Sequence, residues 1–131
     1  MSEKGTAPKR AATIGLAYLA FVQIATAVGI MIPGALPIFG IMVPPPNLTL
    51  YLYFCASLYF SLGLLYLLGA LKAEYRKAAL TIAPVDVLLE ILSLAFGFPP
   101  MQAPLWLIVV FSLVLLVPGV FCLLGLRDEP R

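Results

Sequence analysis

Two acidic residues stand four positions apart inside a long apolar stretch of this chain. Asp86 and Glu90 lie within residues 78–98, which contain no Lys, Arg or His. Residues four apart share one face of a helix. A carboxyl group inside a membrane-spanning helix costs at least a few kcal/mol, so it indicates a functional site. Two interpretations stay open: the pair binds a proton, a cation or a ligand, or it hydrogen-bonds a neighbouring helix for packing.

The residues around the two acids predict their protonation state and their hydrogen-bond partners. Residues 11–71 and 78–126 hold no basic side chain, and Asp86 and Glu90 are their only acids. Desolvation and mutual repulsion then predict that at least one of the two carries a proton at neutral pH, unless water or a cation reaches it. We expect a pocket lined by Gln23, Tyr59, Asp86 and Glu90. The alternative is that Gln23 and Tyr59 only form hydrogen bonds between helices.

Composition places the chain in a membrane. Of its 131 residues, 63% are hydrophobic and 11% are charged, against about 25% charged in soluble domains. Composition and the apolar stretches predict an all-α fold, namely a transmembrane four-helix bundle with up-down-up-down topology. One domain is expected over residues 1–131. The expected spans are residues 12–32, 47–71, 78–98 and 105–126, joined by proline-rich connections at 33–46 and 99–104 and by a tight charged turn at 72–77.

Basic residues predict the orientation of the spans. All eight Lys and Arg residues fall within the segments 4–10, 72–77 and 127–131. By the positive-inside rule, both termini and the turn at 72–77 are expected in the cytoplasm, in a multi-pass protein of the cell membrane. A signal peptide cleaved after residue 27 would leave three spans. A retained first helix is favoured because the apolar run continues to Ile32.

Small residues, a proline and the thiols give three predictions about packing. Pro84 should interrupt or kink the third span, since it removes a backbone hydrogen bond. Cys55 and Cys122 should lie at different membrane depths, too far apart for a disulfide. Close helix approach is predicted at four small residues: Ala25, Gly29, Gly63 and Gly69.

The pattern of spans resembles one known family. The glycine-rich second span SLGLLYLLGAL (61–71), the basic turn at Arg76 and Lys77 and a third span ending in Gly-Phe-Pro resemble the DoxX-like group of small bacterial and archaeal membrane proteins. The resemblance covers most of residues 12–126. It implies a four-helix bundle, and some members of the group are associated with quinone-linked sulfur oxidation. It transfers no catalytic residue.

Two functional hypotheses from different classes follow. The first is an accessory or oligomeric subunit of a larger membrane complex, because the chain is small and lacks a catalytic triad or a nucleotide motif. The second is a small-molecule-binding protein, a transporter or an enzyme that uses Asp86 and Glu90 toward a lipid, a quinone or a cation. The expected partners are the lipid bilayer, other membrane subunits or further copies of the chain, and a hydrophobic small ligand. No metal, cofactor or nucleic-acid partner is predicted, and enzymatic activity is left open.

Overall fold

The protein is described by a computed structural model covering residues 7–32, 35–38, 49–96 and 104–127. These residues form the helices α1 (Ala7–Met31), α2 (Ala35–Ile38), α3 (Thr49–Leu71), α4 (Ala73–Ala95) and α5 (Leu105–Arg127). Helices α1, α3, α4 and α5 are each long and apolar enough to cross a membrane. The predicted all-α fold with four candidate spans is confirmed.

The α3–α4 connection is much shorter than predicted. Lys72 is its only non-helical residue, with φ −124° and ψ 125°, and α4 begins at Ala73. The expectation of a turn over 72–77 was therefore wrong. The segment is charged, but Ala, Glu, Arg and Lys all favour helix, and Glu74 in the first turn favours a helix N-terminus. At its other end α4 stops at Ala95, three residues before the predicted boundary.

Helix α2 corrects a second expectation. Its four residues, Ala35–Ile38, lie inside the connection predicted to be non-helical because of its prolines. Pro37 falls in the first turn, where a backbone N–H has no intrahelical partner and none is lost. The remainder of the 33–46 connection, residues 97 and 98 and most of the 99–104 connection lie outside the described residues.

The four long helices pack as a four-sided bundle. Helix α1 lies against α3 and α5, and α4 lies against the same two helices. Contacts between α1 and α4 cross the bundle. Its core is formed by fully buried side chains from all four helices, among them Leu16, Leu19, Tyr66, Leu80 and Leu115. The outward faces are apolar too, as a lipid environment allows.

Glycines allow close approach at several helix contacts. A Cβ at Gly63 would collide with Ile24 of α1, and one at Gly69 would collide with Ala79 of α4. The prediction for these two glycines is confirmed. Gly29 faces open space and Ala25 is exposed, so that part of the prediction was wrong. Both lie on the outward side of α1, which spacing along one helix does not reveal. The contacts that the prediction missed are those of Gly15, Gly119 and Gly125.

The proline and thiol predictions have different outcomes. Helix α4 runs without a break through Pro84, so the predicted interruption is absent. Pro118 is likewise accommodated inside α5. Cys55 and Cys122 are both free thiols, as predicted.

A carboxyl cluster between three helices

Gln23 of α1 contacts both acids of α4. Its Nε2 atom donates a hydrogen bond to Asp86 Oδ2 at 3.0 Å and another to Glu90 Oε1. One carboxamide nitrogen carries two hydrogens, so a single Gln can serve two carboxyl groups. Gln23 is 1% exposed, which means that its polar group is satisfied inside the protein.

Tyr66 of α3 supplies a third donor. Its side chain is 0% exposed, and its hydroxyl donates a hydrogen bond to Asp86 Oδ2 at 2.5 Å. This length is typical of a hydroxyl that donates to an ionised carboxylate. We call Gln23, Tyr66, Asp86 and Glu90 the carboxyl cluster. It joins α1, α3 and α4 through side-chain hydrogen bonds.

Helical spacing places each member of the cluster. On α1, Gln23 lies one turn from the buried residues Leu19 and Ala27, so it belongs to the inward face. On α3, Tyr66 has the buried Ala70 one turn after it. Asp86 and Glu90 follow each other by one turn on α4 and are half-buried. Polar residues at inward positions of α1, α3 and α4 are therefore sufficient to form the cluster.

The two carboxyl groups are close neighbours, because Asp86 Oδ2 and Glu90 Oε1 both accept a hydrogen bond from Gln23 Nε2. Like charges this close make the doubly ionised state unfavourable. The arrangement is suited to holding one proton between two acids.

The donors in the cluster are neutral. A buried acid is usually compensated by an Arg, a Lys or a metal ion. Here the described donors are an amide and a phenol, and residues 11–71 and 78–126 carry no basic side chain. In the described part of the chain, no group of three or more His, Cys, Asp or Glu residues could hold a metal ion. The cluster therefore retains the negative charge of any acid that ionises.

Three of the four predicted site residues come together. Gln23, Asp86 and Glu90 are joined by hydrogen bonds. Tyr59 is half-buried on α3, seven residues before Tyr66 and so on the same side of the helix. Its place in the site stays a prediction.

Tyr66 is the member of the cluster that was not among the predicted site residues. Side chains of a helix lean toward its N-terminus. Those of α3 therefore lean away from the Lys72 turn, and those of α4 lean toward it. Tyr66 and Asp86 lean toward each other in this way and meet in a hydrogen bond. The direction of the side chains is the signal that would have identified Tyr66.

An apolar groove lies apart from the carboxyl cluster on α4. The groove, of about 330 Å³, runs between α4 and α5. Its lining is apolar and is formed by Pro84, Val85, Val87, Leu88, Ile91, Leu116, Gly119, Val120 and Leu123. Asp86 and Glu90 are not part of this lining, so the groove is separate from the carboxyl cluster.

Comparison with known proteins assigns the chain to no family. No family model, no curated protein and no solved structure matches it. The DoxX-like resemblance accordingly stays a prediction.

Proposed function

We propose that the protein is a multi-pass protein of the cell membrane with up-down-up-down topology and both termini in the cytoplasm. The support comes from where the basic residues lie. Ala12 lies against Gly125, and Leu16 lies against Gly69. These contacts bring Arg10, Arg127 and the charged segment after Lys72 to one end of the bundle, as the positive-inside rule requires for cytoplasmic ends.

Cysteine labelling tests this topology. In a variant in which Cys55 and Cys122 are replaced by Ala, single cysteines at Ser2, Glu74 and Glu129 are expected to react with a membrane-impermeant reagent only from the cytoplasmic side. A cysteine at Pro45 is expected to react only from outside. Labelling of position 74 from outside would contradict the proposed topology.

We infer that the function of the bundle depends on a proton-binding carboxyl pair, Asp86 and Glu90. The observation that carries this inference is the presence of two neighbouring acids that share the donor Gln23, and whose described donors, Gln23 and Tyr66, are uncharged. Packing alone would be served by one neutral polar residue per helix. A pair of acids without a basic partner changes its charge when it gains or loses a proton. That property suits proton-coupled binding or transport of a small molecule or cation.

Infrared difference spectroscopy between acidic and alkaline pH tests the inference on protein in lipid nanodiscs. The wild type is expected to show a carbonyl band of a protonated carboxyl group at neutral pH that disappears on deprotonation. The double variant Asp86→Asn with Glu90→Gln keeps shape and hydrogen-bonding capacity, so it should fold and lose the band. The matched control Glu74→Gln removes an exposed acid and should retain it. A folded double variant that keeps the band would overturn the inference.

An accessory or oligomeric subunit of a larger membrane complex, in a chain whose span pattern resembles the DoxX-like group, is the second candidate. Large apolar side chains project outward from every long helix, for example Phe21 at 72%, Val85 at 58% and Leu105 at 76% exposure. Such surfaces suit neighbouring membrane subunits as well as lipid. Native mass spectrometry from mild detergent distinguishes the two roles. A partner of fixed stoichiometry, still bound to the Asn–Gln double variant, would favour the subunit role.

A further inference from the structure

We infer that Tyr66 is a positioning residue that keeps Asp86 as the anion and the shared proton on Glu90. The inference rests on the proposed function, since it assigns the proton within the same carboxyl pair. It gives the two acids different roles: Glu90 is the group that releases and takes up the proton, and Asp86 is the fixed acceptor beside it.

The hydrogen bonds at Asp86 Oδ2 favour the ionised form of Asp86. This oxygen accepts from Tyr66 at 2.5 Å and from Gln23 at 3.0 Å. A carboxylate oxygen offers two lone-pair sites, and two donors occupy them. A proton bound at Oδ2 would have to displace one of these donors. Donated hydrogen bonds also favour the ionised form of a carboxyl group.

The donor shared by the two acids places the proton on Glu90. Gln23 Nε2 donates to both carboxyl groups, so they lie close together, and with Asp86 ionised a second negative charge on Glu90 is unfavourable. Gln23 can still donate to Glu90 Oε1 in this state if that atom is the carbonyl oxygen. All the described hydrogen bonds of the cluster are then made at once.

The groups around the pair come from each of the packed helices. Helix α1 contributes the neutral Gln23, and α3 contributes Tyr66. Helix α5, which packs against α1 and α4, carries the buried thiol Cys122. Neither Gln23 nor Tyr66 supplies a positive charge, so the preference between the two acids depends on hydrogen-bond donors. Of the two described donors, Gln23 donates to both acids through Nε2, whereas Tyr66 donates to Asp86.

Isotope-edited infrared spectroscopy tests the assignment directly. Wild-type protein is prepared once with ¹³C-carboxyl Glu and once with ¹³C-carboxyl Asp. The band of the protonated carboxyl group at neutral pH is expected to shift to lower wavenumber only in the Glu-labelled sample, and to be lost in Glu90→Gln. In Tyr66→Phe, which keeps the ring, part of the band is expected to shift in the Asp-labelled sample, because Asp86 then competes for the proton.

A matched control separates the hydroxyl contact from general effects of tyrosine removal. Tyr53→Phe changes an exposed tyrosine on the same helix and should leave the labelling pattern of the wild type unchanged. A wild-type band that shifts with Asp label overturns the inference while the proton-binding proposal stands. A folded Tyr66→Phe protein with the wild-type pattern overturns the positioning role. The absence of any protonated band at neutral pH overturns the proposed function instead. The wild-type samples decide the proton assignment even if Tyr66→Phe fails to fold.

Discussion

The carboxyl cluster and the basic segment, residues 72–77, are two places where polar side chains stabilise this bundle in different ways. In the cluster, buried neutral donors serve two acids of α4. In the basic segment, the half-buried Arg76 donates from Nε to the carbonyl of Gly69 at 3.3 Å and from Nη2 to the carbonyl of Ala70 at 3.4 Å. In both regions, titratable side chains are hydrogen-bonded by neutral groups.

The two regions differ in whether water can also solvate the titratable side chains. Water can solvate Lys72, Glu74 and Lys77 at the end of the bundle, because all three are exposed. Their interactions should therefore be weak and sensitive to salt. Inside the bundle, each donor is hard to replace, so loss of one leaves a polar group without a partner in an apolar environment. The following substitutions test this contrast.

Gln23→Leu is expected to have the largest effect. It removes the donor that Asp86 and Glu90 share, and should lower the free energy of unfolding by about 2–3 kcal/mol. Unfolding in detergent micelles, followed by circular dichroism, measures the change. Thr26→Val is the matched control on the same helix, since the described hydrogen bond of the Thr26 hydroxyl is to the carbonyl of Val22 one turn before it. Equal costs for the two variants would remove the energetic distinction drawn for the cluster.

The sequence predicted which residues form the cluster better than it predicted how they contact one another. Gln23, Asp86 and Glu90 were identifiable because polar residues are rare in apolar spans, so their types and spacing carry much information. The contact of Tyr66 with Asp86 depends on the lean of side chains in two helices, and the one-residue turn at Lys72 depends on helix propensity within a charged segment. The inward position of Gly15 or Gly125 depends on how α1 and α5 are rotated, and the weak amphipathicity of these two helices does not fix that rotation.

Arg76→Ala is expected to have a smaller effect. It removes the two hydrogen bonds to the last carbonyls of α3, which Arg76 satisfies from the next helix. We expect a loss of about 0.5–1 kcal/mol, since water can take over part of this role. Lys77→Ala is the control, because it removes an exposed charge next to Arg76. A loss as large as that of Gln23→Leu would mean that the basic segment is as sensitive to donor loss as the cluster.

Glu74→Gln is expected to have the smallest effect and gives the sharpest comparison with the buried acids. Glu74 lies in the first turn of α4, where the N-cap residue Lys72 makes no side-chain capping bond. A carboxylate there interacts favourably with the helix dipole, by about 0.3–1 kcal/mol at low salt. Glu90→Gln is the matched variant on the same helix, since it makes the same chemical change next to a described buried donor.

Salt separates the two Glu→Gln variants. At about 1 M salt the Debye length falls to about 3 Å, so the destabilisation by Glu74→Gln should disappear because its charge is in contact with solvent. The change in unfolding free energy caused by Glu90→Gln should stay the same at low and high salt, because Glu90 lies in the bundle and bonds Gln23. Chemical unfolding of both variants at the two salt concentrations measures this. A Glu90→Gln effect that weakens with salt as the Glu74→Gln effect does would indicate that ions reach the carboxyl cluster, and the contrast between the two regions would be wrong.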